Sequence, residues 1–155
     1  MCELTSDDLL RLTCVALERT AFLMAEPSDN RHGAPLPPAS CFARIDYRGP
    51  QNGEVVLAAS DGFVRNLAAG LLGADPEAVD AETCGIDALR ELANIVAGSL
   101  ICALGGERTP FAVGLPVACA KESLCATPTV IASLDVEGER LEVYWTTTAA
   151  ARQAA

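Results

Sequence analysis

Residues 87–104, DALRELANIVAGSLICAL, restrict what this chain can fold into more than any other stretch. Wound at 100° per residue, the run places Asp87, Glu91, Asn94, Gly98 and Cys102 on one narrow stripe. Leu89, Ala93, Val96, Leu100 and Ala103 form the opposite face, and Leu92, Ile95, Ala97 and Ile101 lie on the flanks. A helix this apolar is expected to be buried on most sides. Its polar stripe must then reach solvent, or each member must find a partner. Asn94 is a mediocre helix former, because its amide competes for nearby backbone groups. Gly98 costs about 0.5–1 kcal/mol relative to Ala inside a helix. On an exposed stripe that glycine lets the backbone of a partner approach closely. On periodicity alone the stripe reads first as an ordinary solvated helix face, ahead of a contact surface.

With 155 residues, the chain is expected to form one domain over 1–155, with an ordered core from about 5 to 147. The formal charge of −10 argues against nucleic acid or an anionic membrane as partner and favours one that presents a basic residue. No basic segment followed by an apolar one opens the chain, and no apolar run approaches the ~18 residues of a membrane span. A cytoplasmic, soluble protein is the expectation. The cysteines at 2, 14, 41, 84, 102, 119 and 125 contain no C-x-x-C, and most sit in apolar runs such as SLICAL and VACA. They read as buried small hydrophobes. The single histidine, His32, lies in the Pro-rich stretch 27–39, so neither a conventional zinc site nor a Ser-His or Cys-His pair is expected. No Gly-rich phosphate loop is present.

Thr5, Ser6, Asp7 and Asp8 open a helix expected to run to about Met24, where Pro27 forbids easy continuation. CFARIDYRG and GEVVLAAS alternate as two strands, with PQN and Gly53 expected to supply the hairpin. Asp61 is expected to cap the helix GFVRNLAAGLLG, which stops at Gly73. An acidic connector, ADPEAVDAE, precedes the long helix. FAVGLPVA reads as a strand broken at Pro116, PTVIASLDV and RLEVYWTT as a pair turning at 137–139, and TTAAARQAA as a frayed tail. The fold class is α+β: two long helices and a shorter one packed on one face of a mostly antiparallel sheet. RLEVYWTT is apolar enough to require pairing or cover.

The pattern Asp87-x3-Glu91-x2-Asn94 resembles the signature of the CheC/CheX family of response-regulator phosphatases, and Leu89, Ala97 and Gly98 suit that family's small, apolar style around the motif. The element order over residues 5–147 is similar as well. CheC-type relatives carry two Glu-x2-Asn motifs. Here Glu18 is followed three residues later by Ala21, so the chain is identified as CheX-like, with one motif. The resemblance implies hydrolysis of the aspartyl-phosphate on a CheY-like receiver domain, in chemotaxis or related two-component signalling. It implies Glu91 and Asn94 as the catalytic pair, and Asp87, Glu91 and Gly98 as contacts to the partner. No metal or cofactor of the chain's own is implied, and Mg²⁺ belongs to the receiver. A homodimer joined by strands from residues 111–147 is implied too. One departure stands out: relatives commonly carry Gly just before the Asn, where this chain has Ala93. The competing expectation is a non-enzymatic receiver-binding adaptor or a flagellar-switch component.

Overall fold

A computed structural model describes residues 3–28, 35–105, 108–124 and 127–149. Arg31 and His32, Gly106, and residues 150–155 of the tail lie outside the described residues. Three helices, α1 (Ser6–Ala21), α2 (Asp61–Leu72) and α3 (Ile86–Ala103), pack on a seven-stranded sheet. Its strands are β1 (Ala25–Pro27), β2 (Cys41–Arg48), β3 (Gln51–Ala59), β4 (Ala112–Val113), β5 (Val117–Ala118), β6 (Val130–Val136) and β7 (Glu139–Ala149). The order across the sheet is β1-β6-β7-β3-β2-β4, with β5 also pairing β2. All of these pairings are antiparallel. The α+β class is as the sequence led us to expect, and α1 and α3 are the two long helices.

Local chemistry sets the element ends. Thr5 and Asp8 close a reciprocal cap: the Thr5 hydroxyl accepts from the Asp8 amide, and the Asp8 carboxylate accepts from the Thr5 amide at 2.9 Å. The helix stops at Ala21 rather than Met24. Phe22 turns left-handed (φ 57°), and the Leu23 amide bonds back to the Leu17 carbonyl, carrying Leu23 into the core. Met24 belongs to the exit from the helix, and the chain then adds β1, a strand that three residues ending in Pro did not announce. The α2 cap is Ser60, not Asp61. The Ser60 hydroxyl donates to the Glu139 carboxylate instead of capping the helix, and Asp61 pairs with Arg65 at 2.8 Å. Gly73 ends α2 with φ 65°, as expected.

The β2–β3 hairpin turns at Gly49-Pro50, because Gln51 already pairs in β3; the expected PQN turn is therefore part strand. Gly53 sits inside β3, opposite Tyr47. A Cβ there would come within 2.5 Å of the Tyr47 hydroxyl and closer still to the Thr146 carbonyl. The last hairpin turns on Glu137 and Gly138, both at positive φ, and Glu139 begins β7. β7 lies between β3 and β6, so RLEVYWTT is paired on both edges as an interior strand, which meets its need for pairing. It also runs to Ala149, so Thr148 and Ala149 are strand, not tail. Pro116 interrupts the strand after Pro110 into β4 and β5, which border β2.

Between helices and sheet, Leu9, Leu17, Phe63, Leu67, Leu89 and Leu100 meet Ile45, Leu57, Leu134 and Val143, all essentially free of water contact. Burial of side chains of this size contributes about 1.5–3 kcal/mol each. Within this core the Trp145 indole N–H donates to the Tyr47 hydroxyl at 2.7 Å, joining β7 to β2 across β3. The face of the sheet away from the helices is more polar. There the Arg140 guanidinium holds Glu142 at 2.9 Å and reaches the Leu36 and Pro37 carbonyls, and Tyr144 donates to Glu142. Burial and the Glu142 carboxylate push the Tyr144 phenol up to about 12, so it remains a donor at neutral pH.

None of the five cysteines among the described residues is fully buried: Cys14, Cys41 and Cys119 are half-buried, and Cys84 and Cys102 are exposed. The apolar runs around them face inward through their Leu, Val and Ala members, leaving the thiols at the boundary. Tyr47→Phe should lower unfolding free energy by about 1–3 kcal/mol, because it strands the buried Trp145 donor. Urea denaturation followed by tryptophan fluorescence measures this directly.

Candidate functional site

Helix α3 is held along β2 and β3 on one side and against α1 and α2 on others. Leu89, Leu92, Ala93, Val96, Ala97 and Leu100 are buried, and Ile101 nearly so. Ala103, expected on the buried face, is exposed, because α3 ends there and runs past the core. The expected stripe does emerge: Asp87, Glu91, Asn94 and Cys102 are exposed and Gly98 is half-buried. The helix is entered through a widened, π-type turn at Ala81–Gly85, nucleated by Asp80, whose carboxylate accepts from the Glu82 amide and the Thr83 hydroxyl. Such turns insert an extra residue per turn and recur next to functional positions.

Along the stripe the side chains differ in how they are engaged. Asp87 pairs with Arg90 one turn on (Oδ1 to Nη1 3.3 Å), and the Arg90 Nε donates to the Pro116 carbonyl at 3.1 Å. Arg90 thus ties the β4–β5 segment to the start of α3. Among the described residues, no side chain donates to the Glu91 carboxylate, and the Asn94 amide makes no hydrogen bond within the chain. One turn apart on the same line, a carboxylate and an amide face outward together. A Cβ on Gly98 would meet nothing within 4 Å. The fold's own packing therefore gives no reason for glycine there, unlike Gly53. Ala93 is fully buried, so its methyl packs inward and leaves the exposed face around Asn94 unchanged.

Sequence reasoning found this stripe but not its surroundings. Arg90 and Pro116 border the Asn94 side. On the Glu91 side, Leu71 and Leu72 from α2 and Cys84 from the widened turn stand close to Asp87 and Glu91. The only sequence signal for the Leu71–Leu72 neighbourhood was their position at the end of α2, just before Gly73. Among the described residues, no helix is long and apolar enough to cross a membrane.

Comparison with solved structures bears out this architecture. A chemotaxis protein CheX from Desulfovibrio desulfuricans superposes with TM-score 0.70 at 14% identity, over 92% of this chain and 98% of its own. CheX from Vibrio vulnificus does so with TM-score 0.70 at 16% identity, over 90% and 96%. The CheX of a CheX–CheY–BeF3–Mg²⁺ complex from Borrelia burgdorferi aligns with TM-score 0.65 at 12% identity, over 90% and 94%. At these identities the likeness is one of fold. No curated protein sequence matches the chain. The family model for the chemotaxis phosphatase CheX, however, matches residues 41–136, a span that contains β2 through β6 and the whole of α3. The chain belongs to the CheX family of chemotaxis phosphatases.

Proposed function

We propose that this protein docks α3 against a phosphorylated, CheY-like receiver domain and accelerates hydrolysis of its aspartyl-phosphate. The observation that carries the reading is the pairing of Glu91 and Asn94 on one exposed line of a helix otherwise sunk in the core. The Borrelia relative, seen in complex with CheY carrying BeF3 and Mg²⁺, supports the choice of partner. The metal belongs to the receiver in this reading, as does the lysine beside its phosphoryl group.

Hydrolysis of an acyl phosphate needs a water in line with the P–O bond that breaks. Such chemistry is mostly positioning and charge stabilisation. The Asn94 carboxamide suits this work: its carbonyl accepts a proton of the water and its NH₂ donates, without titrating near neutrality. Glu91 pairs with the receiver lysine and so fixes the register of α3 over the phosphoryl group. An interfacial ion pair of this kind orients more reliably than it adds affinity. Asp87, through Arg90, supports the charge pattern from one end, and Gly98 lets the receiver backbone settle close to the helix. The protein acts in the cytoplasm, where response regulators are phosphorylated.

Asn94→Ala should leave binding to a BeF3-loaded receiver nearly intact and cut the catalysed rate about 10²-fold or more. Glu91→Ala should weaken binding, and Glu91→Gln, which keeps shape without charge, should do the same. Full activity in Asn94→Ala would overturn the mechanism. Gly98→Ala makes an opposed pair of expectations. Folding stability should rise by about 0.5–1 kcal/mol from helix propensity, because the methyl meets open space. Receiver affinity should fall, because that space is where the partner lies. Thermal unfolding and titration calorimetry on the same sample separate the two.

Assembly as a symmetric homodimer joins this proposal. β7 is interior, so the surface that supports pairing is the β4–β5 border. There Val113 and Val117 are 42% exposed and Leu115 is 84% exposed. Sedimentation should give a dimer at micromolar concentration, and Leu115→Glu should shift it to monomer. A wild-type monomer under those conditions would refute the assembly.

A further inference from the structure

Beside the Glu91 edge of the stripe, α2 and α3 part to leave a cavity of about 270 Å³. Leu71, Leu72, Cys84 and Ala88 line it, together with Asp87 and Glu91. Two features of the chain shape it. α2 ends at Leu72, where Gly73 turns left-handed. The widened turn at Ala81–Gly85 then brings the chain back against α2, with Cys84 in the cavity wall. The consequence is apolar surface without cover: Leu71 is 36% and Leu72 66% exposed.

We infer that this cavity receives an apolar side chain of the phosphorylated receiver, carried next to the cation that pairs with Glu91. The inference rests on the docking reading above and names the second contact that docking makes. Charge complementarity selects the occupant. Among the described residues, the cavity's only charged groups are two carboxylates. Asp87 is shared with Arg90, and among the described residues Glu91 has no partner. A cation is required at that rim, and an apolar group suits the walls, which offer a polar group little besides those carboxylates. Position selects it as well. Glu91 belongs both to the stripe and to the cavity, so a partner covering Asn94 and Glu91 also covers the cavity mouth. A second copy of this chain suits the site poorly. Two-fold pairing would set the same patch against itself on a protein of net charge −10. It would bring the carboxylates of Asp87 and Glu91 near those of the other copy, with no cation from the cavity lining to offset them. The opposite flank, with Arg90 and Pro116, leads toward the β4–β5 border, so dimerisation there leaves the cavity free.

Two charge-neutral substitutions at exposed positions test this. Cys84→Phe plugs the cavity, and Leu72→Ser removes apolar surface from its rim. Thermal unfolding of each variant verifies that it folds. The probe is the CheY receiver of the source organism, loaded with BeF3 and Mg²⁺ for binding and phosphorylated for turnover. Each substitution should weaken binding about fivefold to tenfold, a fraction of what full burial of a leucine-sized group provides. The loss should fall on KM, whereas Asn94→Ala lowers kcat. Wild-type affinity in both folded variants would overturn the inference and leave the docking reading standing. A change in sedimentation with unchanged receiver affinity would assign the cavity to a second copy and overturn it equally. Failure of the unmodified protein to bind or dephosphorylate any receiver would remove the docking reading, and this inference with it.

Discussion

Leu89, Leu92, Val96 and Leu100 lose their contact with water only because α3 is enclosed by β2 and β3 beneath it and by α1 and α2 beside it. Side chains of that kind drive burial wherever they fall on the helix. Here they fall on every side but one. The helix can therefore sit in only one rotational setting, in which Asp87, Glu91 and Asn94 are outside. A rotation of 100°, one residue, would bury a carboxylate without a partner, at a cost that no nearby leucine could offset. The presentation of the candidate site thus follows from the hydrophobic packing of the same helix. Small residues at Ala93 and Ala97 make that packing close.

The sheet supplies a rigid bed for this arrangement. β3 pairs along its whole length with residues 141–149 of β7, and the Tyr47–Trp145 hydrogen bond from β2 to β7 lies inside the core. Gly53 is required there because any side chain would collide with Tyr47 and the neighbouring strand. Gly98 is the opposite case: a glycine with open space around it, in a helix where alanine would be better tolerated. One glycine answers to the protein's own packing, and the other has no such reason and lies on the proposed contact face. On the far side of the sheet, Arg140, Glu142 and Tyr144 satisfy one another, and Arg140 fastens the segment before β2.

Membership of the CheX family accounts for the order of elements, and the matched span contains the whole of α3. In this chain the residues around the motif frame it closely. Ala93 leaves the exposed face unaltered, because its methyl points into the core. Arg90 links Asp87 to the β4–β5 border, so the sheet edge and the motif are mechanically joined. The apolar hollow beside Glu91 gives the stripe a second kind of contact, of a different chemistry from the first.

Periodicity alone determined the elements whose pattern is long. The two long helices, the paired strands of residues 41–59 and 130–147, and the stripe of Asp87, Glu91, Asn94 and Gly98 were all legible, because 3.6- and 2-residue repeats are written in side-chain polarity. Tertiary structure decided what polarity does not encode. Met24 fell outside α1 because Phe22 adopts a left-handed turn that lets Leu23 fold back, a choice made by the core it enters. RLEVYWTT became an interior strand because β3 and β6 flank it, and pairing partners distant in sequence leave no mark on the strand itself. The five cysteines among the described residues stayed at the boundary or outside because burial depends on which face of an element meets the core, not on the hydrophobicity of its neighbours. The hollow beside Glu91 is lined jointly by α2, the widened turn and α3, and such a relation between elements in space is carried by no single stretch of sequence.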